Sequence, residues 1–362
     1  MKVTFPHLGY AHIAIEALLE GLGHEAITPP PGTRRTLEWG SRYSPEEACL
    51  PFKTILGNML EGIELGADAV FMLGGWGPCR LGYYGEIQRI ILLDLGRQVE
   101  FVTLEVPEGG LEKSLQLLRS VVGPTSPKRL LLGCQLAWQK LLAIDYLENL
   151  SLKVRPVESK HGATSRLLEV GVHKLSQATS MRDIHRIRTQ TEQALLDLVD
   201  RGRPSPRIRV GILGEIYTVV EPLVNLRLEE RLGYLGAEVV RTISLPHWIQ
   251  EHIFKNALGL FTRGDLLRSA TGYLSGFIGG HGLESVARSV DLAESDIDGI
   301  IHIFPLACMP EVVAQGILPQ ISQDKNIPIL SLVVDEHAGE TGFQTRLEAF
   351  VDLLQRRVRV CP

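Results

Sequence analysis

The chain is predicted to fold as α/β, with two doubly wound, flavodoxin-like or Rossmann-like parallel-sheet lobes and a helical middle segment. Short apolar runs alternate with helical segments, which implies parallel strands joined by crossover helices. Two of those runs, Ala69-Val70-Phe71-Met72-Leu73 and Gly299-Ile300-Ile301-His302-Ile303-Phe304, break into loops that hold proline and a cysteine. The order strand, helix, glycine, strand also occurs twice, as a comparison of Leu22-Gly23-His24-Glu25 with Leu235-Gly236-Ala237-Glu238 shows.

Residues 2–5 read as the first strand, 6–9 as a turn and 10–22 as a helix that Gly23 stops. The second strand, 24–28, ends at Pro29-Pro30-Pro31. Ser44-Pro45-Glu46-Glu47 reads as a helix start, with Ser44 as cap, Pro45 in the first turn and Glu47 closing a capping box. That start puts Cys49 in the first turns of a helix reaching Leu65, where a helix N-terminus stabilises thiolates. A strand at 69–73, a loop with Cys79, a helix at 85–95 and a strand at 99–104 continue the alternation. Strand signals then fade, and 111–122, 128–150 and 162–200 read as helices. Arg203-Pro204-Ser205-Pro206-Arg207 is the clearest linker. After it come a strand and glycine turn at 208–215, a helix at 221–235 and a strand at 236–241. Further on are a helix at 283–294, strands at 299–304 and 329–334, and a helix from near Gly342.

Asp68 precedes Cys79 by eleven positions and Asp298 precedes Cys308 by ten, which supports a fold-level duplication. The expected domains are an N-terminal α/β lobe over 1–125 with Cys49 and Cys79, a helical insert and linker over 126–205, and a C-terminal α/β lobe over 206–362 with Cys308.

At 362 residues, 44% hydrophobic and 22% charged, the chain is long enough for two compact domains. A net charge of -5 gives no electrostatic reason to expect nucleic acid or an anionic membrane as partner. No apolar run approaches the roughly 20 residues that span a bilayer, and Met1-Lys2-Val3-Thr4-Phe5-Pro6 lacks the apolar core of a signal peptide. The expectation is a cytoplasmic protein. Its five cysteines, at 49, 79, 134, 308 and 361, are odd in number and form no C-x-x-C pair. A secreted disulfide framework and a zinc ribbon are both disfavoured.

Three of these thiols share a context. Cys49 stands in Cys-Leu-Pro, Cys79 in Pro-Cys and Cys308 in Cys-Met-Pro, and proline removes a backbone donor and stiffens the loop. Cysteine thiolates hold iron-sulfur clusters, so Cys49, Cys79 and Cys308 are the candidate metal and cofactor ligands, placed in a cleft between the lobes. Buried cysteines also serve as small core residues, and Cys134 fits that role; Cys361 is incidental. With three thiolates, one iron of a cubane lacks a cysteine ligand and is open to substrate oxygen, water or another cluster. Lys53 and Arg80 lie close enough in sequence to offset cluster charge, with ordinary surface charge as the alternative. His281, in Gly279-Gly280-His281-Gly282, and the Asp335-Glu336-His337 run supply His281, Glu336 and His337 as proton-transfer candidates. Plain turn chemistry explains both stretches as well. His302, on an apolar strand, reads as a packing histidine. Trp76, Tyr83 and Tyr84 either shield a cluster or simply pack. There is no Walker A sequence, so ATP dependence belongs to a partner.

Four stretches carry a family likeness: Tyr43-Ser44-Pro45-Glu46-Glu47-Ala48-Cys49-Leu50-Pro51-Phe52-Lys53, Gly75-Trp76-Gly77-Pro78-Cys79-Arg80-Leu81-Gly82-Tyr83-Tyr84, Phe304-Pro305-Leu306-Ala307-Cys308-Met309-Pro310-Glu311 and Asp335-Glu336-His337-Ala338-Gly339-Glu340-Thr341-Gly342. In these the chain resembles the iron-sulfur subunits of the 2-hydroxyacyl-CoA dehydratase and benzoyl-CoA reductase superfamily. The likeness is to the CoA-enzyme activase-related, or dehydratase D-component-like, branch, and it covers most of the chain outside the central helical region. It implies a 4Fe-4S cluster on these cysteines, or a double-cubane 8Fe cluster as in some relatives. It also implies an ATP-hydrolysing activase, carrying its own iron-sulfur cluster, that delivers a low-potential electron. That electron serves reduction or radical dehydration of a small substrate, an acyl-CoA thioester among the options, although nothing in the sequence marks an acyl-CoA pocket. A homodimer or a paralogous subunit is a further implied partner. Two alternatives stay open: a non-catalytic cluster carrier, scaffold or electron-transfer subunit, and a two-lobed ligand-binding protein with structural cysteines.

Overall fold

The computed structural model describes residues 1–74, 81–105, 122–200, 202, 208–255 and 263–360. The chain forms two compact units. One comprises Met1–Leu142, Thr179–Met181 and Leu245–Thr262, and the other Ala143–Ala178, Arg182–Ser244 and Arg263–Pro362.

The first unit contains β1 (Lys2–Thr4), β2 (Glu25–Ile27), β3 (Ala69–Gly74) and β4 (Glu100–Glu105), all parallel in the order β2-β1-β3-β4. The second contains β5 (Ile208–Gly214), β6 (Ala237–Arg241), β7 (Gly299–Pro305) and β8 (Ile329–Val334), all parallel in the order β6-β5-β7-β8. The fold is therefore α/β, and one topology is built twice. The two aspartates expected to mark the duplication hold matching places. The Lys2 amide donates to Asp68 Oδ1 at 2.6 Å and the Asp68 amide to the Lys2 carbonyl at 2.9 Å. Likewise the Arg209 amide donates to Asp298 Oδ2 at 2.7 Å and the Asp298 amide to the Arg209 carbonyl at 2.9 Å. Each aspartate clips the entrance of an inner strand to the start of its neighbour.

Parallel strands covered on both faces read as continuous apolar runs. In the first unit Val3, Phe5, Leu19, Leu22, Ala69 and Phe71 form one buried cluster. In the second, the helices Gly282–Ala293 and Met309–Asp324 pack through Leu283, Val286, Val290, Ala314, Leu318 and Ile321. Burial of each large aliphatic side chain stabilises by about 1.5–3 kcal/mol.

The middle of the chain is helical, as Pro127–Val154, Ala163–Ser176 and Met181–Leu196. Gly133 of the first of these touches Gly21 so closely that a Cβ on Gly21 would lie 2.5 Å from the Gly133 Cα. The expected helix at 111–122 and the linker 203–207 lie outside the described residues. Among the described residues no helix is long and apolar enough to cross a membrane.

Two local expectations are corrected. Ser44 starts no helix; it ends Arg34–Tyr43, its hydroxyl donating to the Gly40 carbonyl at 2.5 Å. The next helix, Leu50–Glu64, begins only after the turn closed by the Ala48 amide on the Pro45 carbonyl at 3.0 Å. The same Ser-Pro pair that suits a helix start also suits a helix stop followed by a turn. The helix expected at 221–235 is two, Ile216–Val220 and Leu228–Tyr234. Leu226 and Arg227 between them take left-handed backbone, with φ of 53° and 56°, and the Asn225 amide side chain donates to the Val219 carbonyl at 2.8 Å to close the break.

Candidate functional site

In an order of the type β2-β1-β3-β4 the strand order reverses between the two inner strands, and ligands bind beyond their carboxyl ends. The helix Leu50–Glu64 precedes β3 and runs back along the sheet, so its N-terminus lies at that edge. Cys49 is its N-cap, with φ −68° and ψ 158°, and Pro51 falls in the first turn, where its missing N–H is not needed. The sulfur makes no capping bond to the helix backbone. Instead, Sγ lies 2.7 Å from the hydroxyl oxygen of Tyr84.

Tyr84 is buried on the helix Leu81–Asp94, which follows β3. Its ring meets Phe52 edge to face with centroids 4.7 Å apart, and the Gln88 side chain donates to the Phe52 carbonyl at 3.3 Å. These contacts fix Cys49 against the helix that leaves the 75–80 segment. Cys79, Arg80 and Trp76 belong to that segment and lie outside the described residues. Lys53 is 3% exposed, and its ammonium donates to the Glu46 carbonyl at 3.2 Å. A buried cation thus sits one turn from Cys49.

The segment after β1 adds two imidazoles that the sequence reading passed over, His7 in the loop and His12 at the start of the helix His12–Gly21. His7 Nε2 lies 2.8 Å from the Pro29 carbonyl, and the His7 amide donates to Asn58 Oδ1 at 3.1 Å. The His12 ring meets His7 edge to face at 4.6 Å, with Nδ1 3.1 Å from the Gly9 carbonyl. Burial, with His7 beside it, pushes His12 down to about 4, so its ring is neutral near neutrality. The signal was Phe5-Pro6-His7 at a strand's carboxyl end.

The second unit repeats the pattern with one change. Cys308 is the N-cap of Met309–Asp324, again with proline in the first turn. The turn before it closes through the Cys308 amide on the Pro305 carbonyl at 3.1 Å, with Ala307 at φ 65°. Cys308 follows β7 as Cys79 follows β3. The helix preceding β7 is Gly282–Ala293, and its N-cap is His281. His281 therefore holds the topological place of Cys49. A Cβ on Gly282 would lie 2.6 Å from the Pro310 carbonyl oxygen, so the two helix N-termini touch. His281 Nε2 is 3.6 Å from Glu284 Oε2.

The remaining candidates are placed plainly. Asp335 accepts the His337 amide at 2.9 Å in a closed turn beyond β8; Glu336 is half-buried and His337 exposed. Cys134 is half-buried in Pro127–Val154, and burial pushes its thiol up. His302 is buried on β7. A cavity of about 460 Å³ lies where Gly282–Ala293 and Met309–Asp324 end, lined by Arg268, Tyr273, Glu294, Asp324 and Lys325. It is at the opposite helix ends from Cys308 and His281, and Lys325 with Glu294 and Tyr273 with Asp324 pair inside it.

Among the described residues no group of three or more His, Cys, Asp or Glu is gathered to hold a metal ion. The described part of the proposed donor set is two thiols, Cys49 and Cys308. Both are half-buried, both cap a proline-started helix, and one is hydrogen-bonded to a tyrosine. Soft sulfur donors at helix N-termini suit iron-sulfur ligation. Comparison of the sequence with protein-family models and with curated proteins returns no match to either.

Proposed function

We propose that this chain binds an iron-sulfur cluster through Cys49, Cys79 and Cys308 and passes on a low-potential electron. The electron comes from an ATP-hydrolysing activase with its own cluster, and drives reduction or radical dehydration of a small substrate, acyl-CoA thioesters included. The observation that carries this reading is the Cys49 site: a thiol at the N-terminus of Leu50–Glu64, 2.7 Å from the Tyr84 hydroxyl and one turn from buried Lys53. Helix dipole and ammonium favour negative charge on sulfur, and a thiolate there would accept from the Tyr84 hydroxyl. When bound, the cluster supplies one-electron chemistry. The chain's own residues hold the thiolates, limit water at Cys49 through Phe52 and Tyr84, and offset charge through Lys53.

A second reading, as an electron-transfer or carrier subunit within a larger complex, is favoured by the surface beside Cys308. Leu306, Met309, Val312 and Val313 are all exposed there, at 55%, 54%, 49% and 41%. Exposed apolar side chains grouped in this way mark protein contact, whether with the activase, a paralogous subunit or a second copy.

The test is anaerobic reconstitution with iron and sulfide, followed by reduction with dithionite or with an activase and ATP, and spectroscopy with and without an acyl-CoA. A cluster spectrum that changes on adding the thioester supports the catalytic role. A reducible cluster indifferent to small ligands supports the carrier. A chain that takes up no iron refutes both.

A further inference from the structure

The helix Met309–Asp324 carries only two charged residues, Glu311 and Asp324. Glu311 is fully buried; its Oε2 accepts the Ser285 hydroxyl at 2.8 Å and lies 2.7 Å from Nε2 of His302, also fully buried. Asp324 is the last residue, where the Tyr273 hydroxyl donates to it at 3.1 Å and the Gln320 side chain at 2.7 Å. The exposed side of the helix is therefore uncharged from Met309 to Gln323, in a chain that is 22% charged. Met309, Val312 and Val313 are exposed at spacings that place them on one face. Exposed Leu306 extends that face in the preceding turn, held beside β8 by its amide, which donates to the Val334 carbonyl at 2.8 Å.

Two other helices that expose apolar side chains show the contrast. Ile90 and Leu93 share Leu81–Asp94 with the exposed Arg89–Glu86 pair, and Leu353 is next to Asp352, which pairs with Arg356 at 2.7 Å. Charges of that kind select a partner of complementary charge. The Met309–Val313 face offers shape and apolar area alone. With a net charge of -5, two copies of the chain repel where their like-charged surfaces meet, and on this face they approach without that penalty. An uncharged apolar face is also its own complement, which a two-fold interface requires because the same patch lies on both sides. Laid antiparallel, the two helices set the positive end of one dipole beside the negative end of the other.

We propose that the face formed by Leu306, Met309, Val312 and Val313 is the interface of a two-fold homodimer, in which the helix Met309–Asp324 packs against the same helix of a second copy. The inference rests on the reading of this surface as a protein contact and is independent of the cluster. The helix has 16 residues, so it is about 24 Å long. One such face is small beside the roughly 800 Å² that each side of a standard interface buries. The pair should therefore exchange with monomer, dissociating in the micromolar range.

The test is sedimentation equilibrium of the full chain, purified without oxygen, from about 1 to about 200 μM. Wild type is compared with Val312→Glu, Val313→Glu and Leu353→Glu. All three positions are exposed on helices, and glutamate is a good helix former, so each variant should melt as wild type does. Wild type should pass from monomer to twice the chain mass across the range. Val312→Glu and Val313→Glu each put like charges into the two-fold interface and should weaken association by about tenfold or more. Leu353→Glu, on another helix, should leave it unchanged. Wild type that stays monomeric overturns the inference, as does a dimer that neither valine substitution weakens. If wild type is monomeric and an activase with ATP reduces it but not Val313→Glu, the face belongs to the activase; the second-copy assignment then fails while the contact reading stands. If that monomer and Val313→Glu are reduced alike, both fail.

Discussion

Gly40→Ala is the substitution whose cost can be worked most directly from the geometry, and it acts on the helix pair that presents Cys49. A Cβ on Gly40 would lie 1.6 Å from the Lys53 carbonyl oxygen and 2.5 Å from its carbon. Real Cβ atoms do not approach closer than 3.0 Å, so the helices Arg34–Tyr43 and Leu50–Glu64 would have to part by about 1.4 Å. The obstacle is backbone, which no rotamer change relieves. Separation would also stretch the bonds from the Thr36 hydroxyl to the Glu61 carboxylate, both 3.0 Å. The expected loss is at the upper end of the overpacking range, about 3 kcal/mol. For a unit of this size that lowers Tm by about 6–12 °C. Circular dichroism followed through thermal and urea unfolding measures it, and iron uptake should fall in parallel because Cys49 moves with its helix. A Gly40→Ala chain within about 0.5 kcal/mol of wild type would show that the two helices do not meet in this way.

Gly316→Ala should do the opposite: Gly316 is exposed within Met309–Asp324, with nothing within 4 Å of an added Cβ, and a gain of about 1 kcal/mol is expected in urea unfolding. Arg241→Ala should cost about 3–5 kcal/mol, because Arg241 is bound at 2.6 Å through two nitrogens to Glu229 and approaches Glu148 at 3.6 Å, and its loss strands the Glu229 carboxylate. Burial pushes Glu148 up to about 7, so its folded form holds a proton that the unfolded chain releases near 4.5. Its contribution is present below about 4.5 and lost as pH rises through about 7, worth up to about 3 kcal/mol; Glu148→Gln should flatten the urea midpoint across that window. Tyr84→Phe should leave the fold intact while slowing iodoacetamide alkylation of Cys49 by about tenfold, the loss of one donor to sulfur at about 1.5 kcal/mol, as read by peptide mass spectrometry.

The two sheets were legible because β3, β7 and β8 are apolar runs bounded by turns; residues 329–334 were expected as a strand and Ile329–Val334 forms one. The duplication was legible in Asp68 and Asp298, since both clip a strand entrance through the same backbone bonds. Arg34–Tyr43 was missed because it buries only Thr36 and Gly40 and packs through a glycine, leaving no apolar stripe to read. Proline two positions after both Cys49 and Cys308 pointed to loop thiols, yet their shared role as helix N-caps depends on where the helices begin, which Ser44-Pro45 signalled wrongly. His302 was expected as a packing histidine and is buried. Its partners Ser285 and Glu311 come from two other elements, and sequence spacing carries no trace of such a meeting.

The most direct test is iron and acid-labile sulfide per chain, with the electron paramagnetic resonance spectrum after dithionite, on protein made without oxygen. Wild type should hold about four irons, or about eight for a double cubane. Cys49→Ala, Cys79→Ala and Cys308→Ala should each lose them while Cys134→Ala keeps them. Wild type without iron, or iron that survives all three substitutions, would contradict the account.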